Sequence, residues 1–482
     1  MSKKPLSKKE QAPCPYAKKC GGCQLMNMTY PEQLSWKTAR CIKLLGRFCR
    51  VEEIIGMQNP THYRNKVQAA FQLTRSGKIV SGVYQSGTHN VVNVNSCLTE
   101  DEKADEITVY IRSLLPRFEI LPYNEDSKEG FLRHVLVRRG FSTGEIMVVF
   151  VGANPRFPMK NRITGALVER FPEITTVIFN INPHKTSMVL GGRSEILYGR
   201  GYIEDRLCGC TFRISPSSFY QINPAQTEIL YNTAISFAGL NKNSTVIDAY
   251  CGTGTIGIAA AKHAGSVTGA ELNGDAVKDA VFNAKRNKIE NIAFVKADAG
   301  EFMLEAARQG EKADVVFMDP PRAGSDKKFL SSLVALAPKT VVYISCNPET
   351  LARDLGYLTK NGYKVKKIQP VDMFPYTNHV ETVALLVKLP SDDVIKVKLD
   401  VSELPVSIHD GDATYPEIKA YVEKQFGLKV SSLYISQIKR KFGLTVTDSY
   451  NKPKSDNSRH PICPPDKEKA IAEALRFFKM ID

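Results

Sequence analysis

STVIDAYCGTGTIGIAAAKHAG, residues 244–265, decides how the rest of the chain reads. An apolar run gives way to a glycine-rich turn and then to small helix formers. Gly252, Gly254 and Gly257 keep the spacing G-x-G-x-x-G between that strand and that helix. Glycines in such a turn let the backbone approach a ligand. A second strand, SVTGAELN, follows and ends near Glu271, where a carboxylate can accept hydrogen bonds from ribose hydroxyls. NAD and S-adenosylmethionine both suit this geometry, and the motif alone does not choose between them.

From about 220 to 390, strand and helix signals alternate, which is the pattern of a parallel α/β sheet. The third strand, IAFVKAD, ends in Asp298, a candidate for the adenine end of a cofactor. The fourth, ADVVFMDPPR, ends in Asp319-Pro320-Pro321-Arg322, where two prolines stiffen the loop and fix where the carboxylate points. An Asp-Pro-Pro turn at this place is more typical of enzymes that methylate nucleobases than of dehydrogenases. The fifth strand lies in VVYISCNPETLARD, residues 341–354, and stops at Cys346 before a helix start near Glu349. A buried free cysteine is an ordinary core residue. A thiol at a strand's carboxyl end is also where open α/β sheets put their chemistry. The segment YKVKKIQPVDMFPYTNHVETVALLVKL supplies two strands that form an antiparallel edge. Glu381 enters the second of them, an expensive place for a carboxylate without a purpose.

Outward from this core the chain divides further. Residues 1–60 are a basic tail and a cysteine-rich segment, and 61–212 are strand-rich, with LTEDEKADEITVYIRSLL as the helical exception. Residues 213–392 hold the glycine-turn domain, and 410–482 form a small helical module behind a linker near 390–412. In that module Thr414 to Glu417 make a capping box, a helix stops near Gly427, and Ser431 or Ser432 opens a second that ends near Gly443. A last helix is KEKAIAEALRFFKMI. The 482 residues carry a net charge of +15, which favours an anionic partner such as nucleic acid. No apolar run is long enough to span a membrane, and the basic N-terminus lacks the apolar stretch of a signal peptide. The expectation is a cytoplasmic protein, in which eleven cysteines argue for metal binding or catalysis rather than disulfides. Cys14, Cys20 and Cys23 are closely spaced, and Cys41, Cys49 or Cys97 can complete a set of four. Zinc and an iron–sulfur cluster both fit such a set.

A thiol at the end of one strand and a carboxylate entering another fit one particular chemistry. Carbon 5 of uracil is a poor nucleophile until a thiolate adds to carbon 6, and a base must later remove the carbon 5 proton. Cys346 and Glu381 can fill these roles, with Arg322 or the helix start near Glu349 raising the thiolate fraction.

FYQINPAQTEILY, DAYCGTGT, DPPRAG, YISCNPETLARDL and HVETVALL resemble, in order, the motif series of the bacterial RNA uracil-5-methyltransferase family. The resemblance covers roughly 210 to 390, and YRNKVQ and FLRHVLVRRG are similar to further family segments. It implies a Rossmann-like class I methyltransferase domain with a mostly parallel seven-stranded sheet. It implies that Cys346 is the nucleophile and Glu381 the base. S-adenosyl-L-methionine contacts carry over to Gln221, Tyr250, Thr255, Glu271, Asp298 and Asp319, and target-pocket support to Phe219. Arg64, Lys66, Arg133, His134 and Arg138 lie in matched segments as candidate phosphate contacts, and Arg322 is a further substrate contact.

The family's ribosomal-RNA members resemble the CGGCQ pattern and carry a [4Fe–4S] cluster. That implies Cys14, Cys20, Cys23 and Cys97 as ligands and 23S rRNA as substrate of a monomeric enzyme. Only about a dozen residues precede Cys14, so the small β-barrel RNA-binding domain that begins many such members is expected to be absent, with the basic C-terminal module a candidate substitute. Rival readings are a tRNA uracil-5-methyltransferase, a nucleobase amino-group methyltransferase that does not use Cys346, a non-catalytic iron–sulfur RNA-binding protein, and an NAD oxidoreductase.

Overall fold

The computed structural model describes residues 14–184, 188–390, 413, 415–442, 444, 463–478 and 480–481. Thr414, Gly443, the basic tail before Cys14 and the linker at 391–412 lie outside them. The chain forms two compact units, Met1–Val394 and Ile395–Asp482.

The first unit holds two seven-stranded sheets and a hairpin. The first sheet comprises β1 (Lys66–Leu73), β2 (Ile79–Tyr84), β3 (Val91–Asn93), β4 (Leu132–Arg139), β5 (Ile146–Gly152), β6 (Ile174–Ile181) and β7 (Arg193–Gly199), in the order β3-β2-β1-β4-β5-β6-β7. Its pairs are antiparallel except β5–β6, which run parallel because the helix Lys160–Arg170 crosses between them. The sequence shows one helix in this region, Glu102–Arg117, and this crossover helix is a second. Strand β5 is buried at every position. Its alternate residues serve two cores: Ile146, Val148 and Phe150 pack under the helices, and Met147, Val149 and Val151 pack on the opposite face. That second core continues through the hairpin β8 (Ile203–Leu207) and β9 (Cys210–Ile214) into Val246, Phe317 and Ile344 of the second sheet.

The second sheet contains β10 (Thr245–Ala249), β11 (Ser266–Glu271), β12 (Ile292–Lys296), β13 (Val315–Met318), β14 (Thr340–Ser345), β15 (Tyr363–Val371) and β16 (Glu381–Lys388). The order is β12-β11-β10-β13-β14-β16-β15, parallel through β14, with β16 antiparallel to both of its neighbours. This is the α/β fold with an antiparallel edge that the sequence predicts. Strand order reverses between β10 and β13, and the carboxyl ends there form the crevice where such sheets bind ligands. Val51 and Ile55 bridge to Ile368 and Val371, so the N-terminal segment extends the outer edge. The helix Tyr30–Leu45 is opened by a capping box of Thr29 and Glu32. It buries Gln33, Lys37, Cys41 and Leu45, spaced by four, on one face.

Among its described residues, the second unit has three helices, Tyr415–Phe426, Ser432–Lys441 and Pro465–Phe477, around Ile418, Val422, Ile435, Ile471 and Leu475. The first ends at Gly427, and Ser431 caps the second through Tyr434 N, as the sequence predicts.

Candidate active site

Three strand ends build the centre. Cys346 follows β14, Glu381 opens β16, and Asp319 follows β13. Ser345 lies opposite Thr382 in the antiparallel pair, so one further step of register sets Cys346 beside Glu381. Glu381 is only 3% exposed. Burial raises its carboxyl to about 8, Asp319 adds to the rise, and Arg322 opposes it. Burial also raises Asp319, to about 7.

Cys346 is pushed up to about 11 by burial, then by Glu381 and Asp319, against a smaller lowering by Arg322. The expectation of an enriched thiolate is corrected here. Desolvation and two carboxylates outweigh one guanidinium.

Local hydrogen bonds fix these loops. Asn347 Oδ1 accepts from Glu349 N at 3.1 Å and caps the helix Pro348–Lys360. Asn347 Nδ2 and Thr350 Oγ1 donate to the Arg322 carbonyl at 3.2 and 3.3 Å, tying the Asp-Pro-Pro-Arg loop to that helix. Asp354, fully buried, accepts from Ser325 N at 2.9 Å and from the Tyr343 hydroxyl at 2.7 Å on the far side of the same loop. Arg322 Nη2 lies 3.4 Å from His379 Nε2. Burial, then Arg322, Lys37, Arg40 and Arg64, hold His379 below its usual range, so four cations act on this imidazole.

The segment 372–379 that leads into Glu381 is braced from the N-terminal side. Lys37 Nζ, fully buried, pairs with Asp372 at 2.6 Å and donates to Phe374 O at 3.0 Å. Tyr63 donates to Pro375 O at 3.0 Å, Tyr376 N donates to Gln33 Oε1 at 2.8 Å, and Arg40 donates to Asn378 O at 2.6 Å. None of these braces was anticipated. The one signal was the polar pair Gln33 and Lys37 at the four-residue spacing of a buried helix face.

On the glycine-turn side, Glu271 accepts from Gly252 N at 3.1 Å and from Asn273 N at 2.7 Å. Its carboxylate is thus fixed at the tip of β11 with lone pairs left for hydroxyl donors. Asp248, another unanticipated residue, accepts from Gly257 N at 2.8 Å. A side chain at Gly257 would put its Cβ 2.8 Å from that carboxylate, so the third glycine is needed for close approach. Tyr250 has φ 62° and stacks on Phe329 at 4.8 Å. Thr255 Oγ1 lies 3.4 Å from the Tyr231 hydroxyl. Asp298 is exposed and caps the helix Ala299–Arg308 through Glu301 N at 2.9 Å.

The remaining candidates separate. Gln221 offers its carbonyl to Asn65 Nδ2 at 3.1 Å, which places Arg64 and Lys66 next to this segment. Phe219 is 69% exposed. Arg133 and Arg138 are corrected as phosphate contacts. Arg133 is buried against Glu125 and the carbonyls of Asn182 and His184, and Arg138 against the carbonyls of Ser215 and Ser218. Both guanidiniums are used internally.

Cys14, Cys20, Cys23 and Cys97 line one small cavity. Burial, then Cys97 and Cys20, push the Cys23 thiol up to about 12. Cys41 is instead buried in the core beneath the second sheet, and Cys49 lies against that core with its thiol on Arg50 O. Among the described residues no three His, Cys, Asp or Glu are set to hold a single metal ion.

Residues 192–389 match the model of the tRNA (uracil-5-)-methyltransferase family. An uncharacterized RNA methyltransferase of Clostridium tetani is 42% identical over 386 residues, 79% of this chain and 84% of that one. One from Listeria monocytogenes is 43% identical over 380 residues, 78% and 83% of the two chains. Among solved structures, the Pyrococcus abyssi tRNA (uracil-54, C5)-methyltransferase in complex with S-adenosyl-L-homocysteine superposes with a TM-score of 0.64 at 29% identity. The match covers 76% of this chain and 86% of that one.

Proposed function

Because the chain belongs to the RNA uracil-5-methyltransferase family, we propose that it methylates carbon 5 of a specific uridine in 23S rRNA, with Cys346 as nucleophile and Glu381 as base. At the coarser level it is an S-adenosylmethionine-dependent RNA (uracil-5-)-methyltransferase. The observation that supports the roles of Cys346 and Glu381 is the register of β14 and β16, with Ser345 opposite Thr382 and the thiol one step beyond.

When bound, S-adenosylmethionine supplies an electrophilic methyl group. Gln221, Tyr250, Thr255, Glu271, Asp298 and Asp319 are the residues that would hold it, and the anchored carboxylate of Glu271 fits a ribose. Cys346 Sγ bonds to carbon 6 of the uracil, and the electrons of the 5,6 double bond move toward the carbon 4 carbonyl. The thiol loses its proton first, so the step draws on a minor thiolate population at neutral pH. Once carbon 5 carries the methyl group, ionised Glu381 takes the remaining carbon 5 proton. The double bond re-forms and Cys346 Sγ is expelled as a thiolate, which regains from solvent the proton it first gave up; the carbon 5 proton passes from Glu381 to solvent, and the methyl donor would leave with the electron pair of the broken carbon–sulfur bond on its sulfur, as S-adenosyl-L-homocysteine. A carboxyl raised to about 8 is a stronger base than an ordinary one, at the cost of being mostly protonated at neutral pH. Arg322, whose charge acts on the Cys346 thiol, is the group proposed to offset the enolate charge.

The decisive test is RNA containing 5-fluorouridine, whose fluorine cannot leave as a proton does. Labelled S-adenosylmethionine should give a denaturant-stable protein–RNA band that vanishes in Cys346→Ala. Methyl transfer to ordinary RNA that persists in the variant would favour the amino-group reading instead.

The four thiols around one cavity support a [4Fe–4S] cluster, with Cys14, Cys20, Cys23 and Cys97 as its ligands. Its proposed role is structural, since no electron transfer enters the chemistry. A tRNA substrate is the second reading, favoured by the Pyrococcus abyssi neighbour. Methyl incorporation into undermodified 23S rRNA against undermodified tRNA separates the two. We further propose that 61–212 grips RNA and that 410–482 adds a basic RNA contact.

A further inference from the structure

A cavity of about 620 Å³ opens on the first sheet, on the face turned away from the helices Glu102–Arg117 and Lys160–Arg170. Its floor is a row of cross-strand partners. Ala70 pairs with Gly82 on one side and with His134 on the other. Two small residues in a row leave a hole where a sheet face ordinarily carries bulk. Gly82 cannot be larger, because a Cβ there would lie 2.2 Å from Val92 O.

The walls are aromatic and polar. Tyr84 meets His134 edge to face at 6.1 Å and His89 at 6.3 Å. Burial and Arg133 hold His134 down to about 4, so its imidazole is neutral and offers one donor and one acceptor. Glu125 is pinned by Arg133 at 2.7 and 2.9 Å. Gln68 is exposed at the rim, and its amide has no hydrogen-bond partner among the described residues.

One face of β1 leads from the cavity toward the segment that carries Arg64. Lys66, Gln68 and Ala70 alternate onto the same face, spanning about 14 Å at the usual rise. Lys66 stands beside Arg64, which itself bears on His379 next to Arg322 and the thiol. A cationic start followed by an amide and an aromatic-walled hole matches an unpaired polynucleotide: phosphates at the start, a base in the hole.

We propose that this cavity receives a second unpaired base of the substrate RNA, flanking the target uridine, and so contributes to site choice. This rests on the uridine-methylation reading above. It goes beyond that reading by naming a subsite outside the reaction centre.

The test uses the full chain and a hairpin RNA that it methylates. Single abasic substitutions are placed in turn at each unpaired position other than the target. One position should raise KM about tenfold, the scale of one stacked base, with kcat retained. Gln68→Ala, at an exposed position that keeps the fold, and Ala70→Leu, which fills the hole, should each raise KM on intact RNA. They should also lose sensitivity to that one abasic position. Wild-type KM values for both variants, or losses that simply add to every abasic effect, would overturn the cavity as a base site. Failure of the unaltered protein to methylate any RNA would overturn the underlying uridine reading instead.

Discussion

The molecule contains two seven-stranded sheets that put function in different places. In the second sheet, chemistry gathers at strand ends: Glu271 after β11, Asp319 after β13, Cys346 after β14 and Glu381 opening β16. In the first sheet, the cavity lies on a face, and its floor comes from β1, β2 and β4 at positions paired across strands. A parallel sheet is covered by helices on both faces, so only its ends are open to a ligand. A largely antiparallel sheet with helices on one face can offer the other. The two sites should therefore break differently. Damage at a strand end should stop chemistry, whereas damage on the face should weaken recognition.

The largest effect expected is at the strand ends. Cys346→Ala should remove methylation altogether, as measured by labelled methyl incorporation. Glu381→Gln should slow turnover by about 10²–10⁴-fold, the range for a lost general base. It should do so while leaving a protein–RNA adduct that survives denaturation, because methylation precedes proton removal. An adduct-free Glu381→Gln protein would move the base role elsewhere.

The next effect separates catalysis from the brace beneath it. Lys37→Met leaves Asp372 buried without its ion-pair partner. A loss of about 3–5 kcal/mol in denaturant unfolding is expected, the usual result of stranding a buried charge. Replacing both residues by apolar ones of similar size should recover much of it. If Lys37→Met unfolds like the unaltered protein, the pair is not bracing the loop that leads into Glu381.

The raised carboxyl of Glu381 makes a third prediction, about pH. Its folded value, about 8, lies above the ordinary 4.5, so the folded state holds more protons between those values. Stability contributed at this position therefore falls as pH rises from about 4.5 to about 8. Glu381→Gln removes that dependence, so it should be the more stable protein at pH 8 by a few kcal/mol and show little advantage at pH 4. Parallel unfolding curves for the two proteins across this range would mean that the carboxyl is not desolvated.

The same contrast explains what the sequence could reveal. Glycine turn, Asp-Pro-Pro turn and Cys-Asn-Pro turn are local, because a strand, its terminal residue and the helix that follows are consecutive. Their placement on an α/β sheet was therefore legible, as were Cys346 and Glu381 at its ends. The floor of the cavity was not, since Ala70, Gly82 and His134 are ordinary residues until cross-strand pairing sets them in a row. The brace Lys37–Asp372 spans 335 residues and has no local signature beyond a polar residue on an apolar helix face. Arg133 and Arg138 misled for a related reason. They were named because they lie in a segment that resembles the family, and only the fold shows that backbone carbonyls already occupy each guanidinium.

The smallest effect probes how local the strand-end site is. Asn347 does two jobs through one amide: its oxygen caps the helix at Glu349 N, and its nitrogen holds the Arg322 carbonyl. Asn347→Ala loses both and should cost about 1 kcal/mol as a missing cap. Asn347→Asp keeps the cap but cannot donate to Arg322, and it adds a third carboxylate near a thiol already raised by Glu381 and Asp319. Stability should then be close to that of the unaltered protein. Alkylation of Cys346, followed at the peptide level from pH 7 to 10, should be slower at each pH. Equal alkylation in Asn347→Asp would mean that the new charge is screened by solvent at the strand end. The two carboxylates of the site would then be effective only because they are buried.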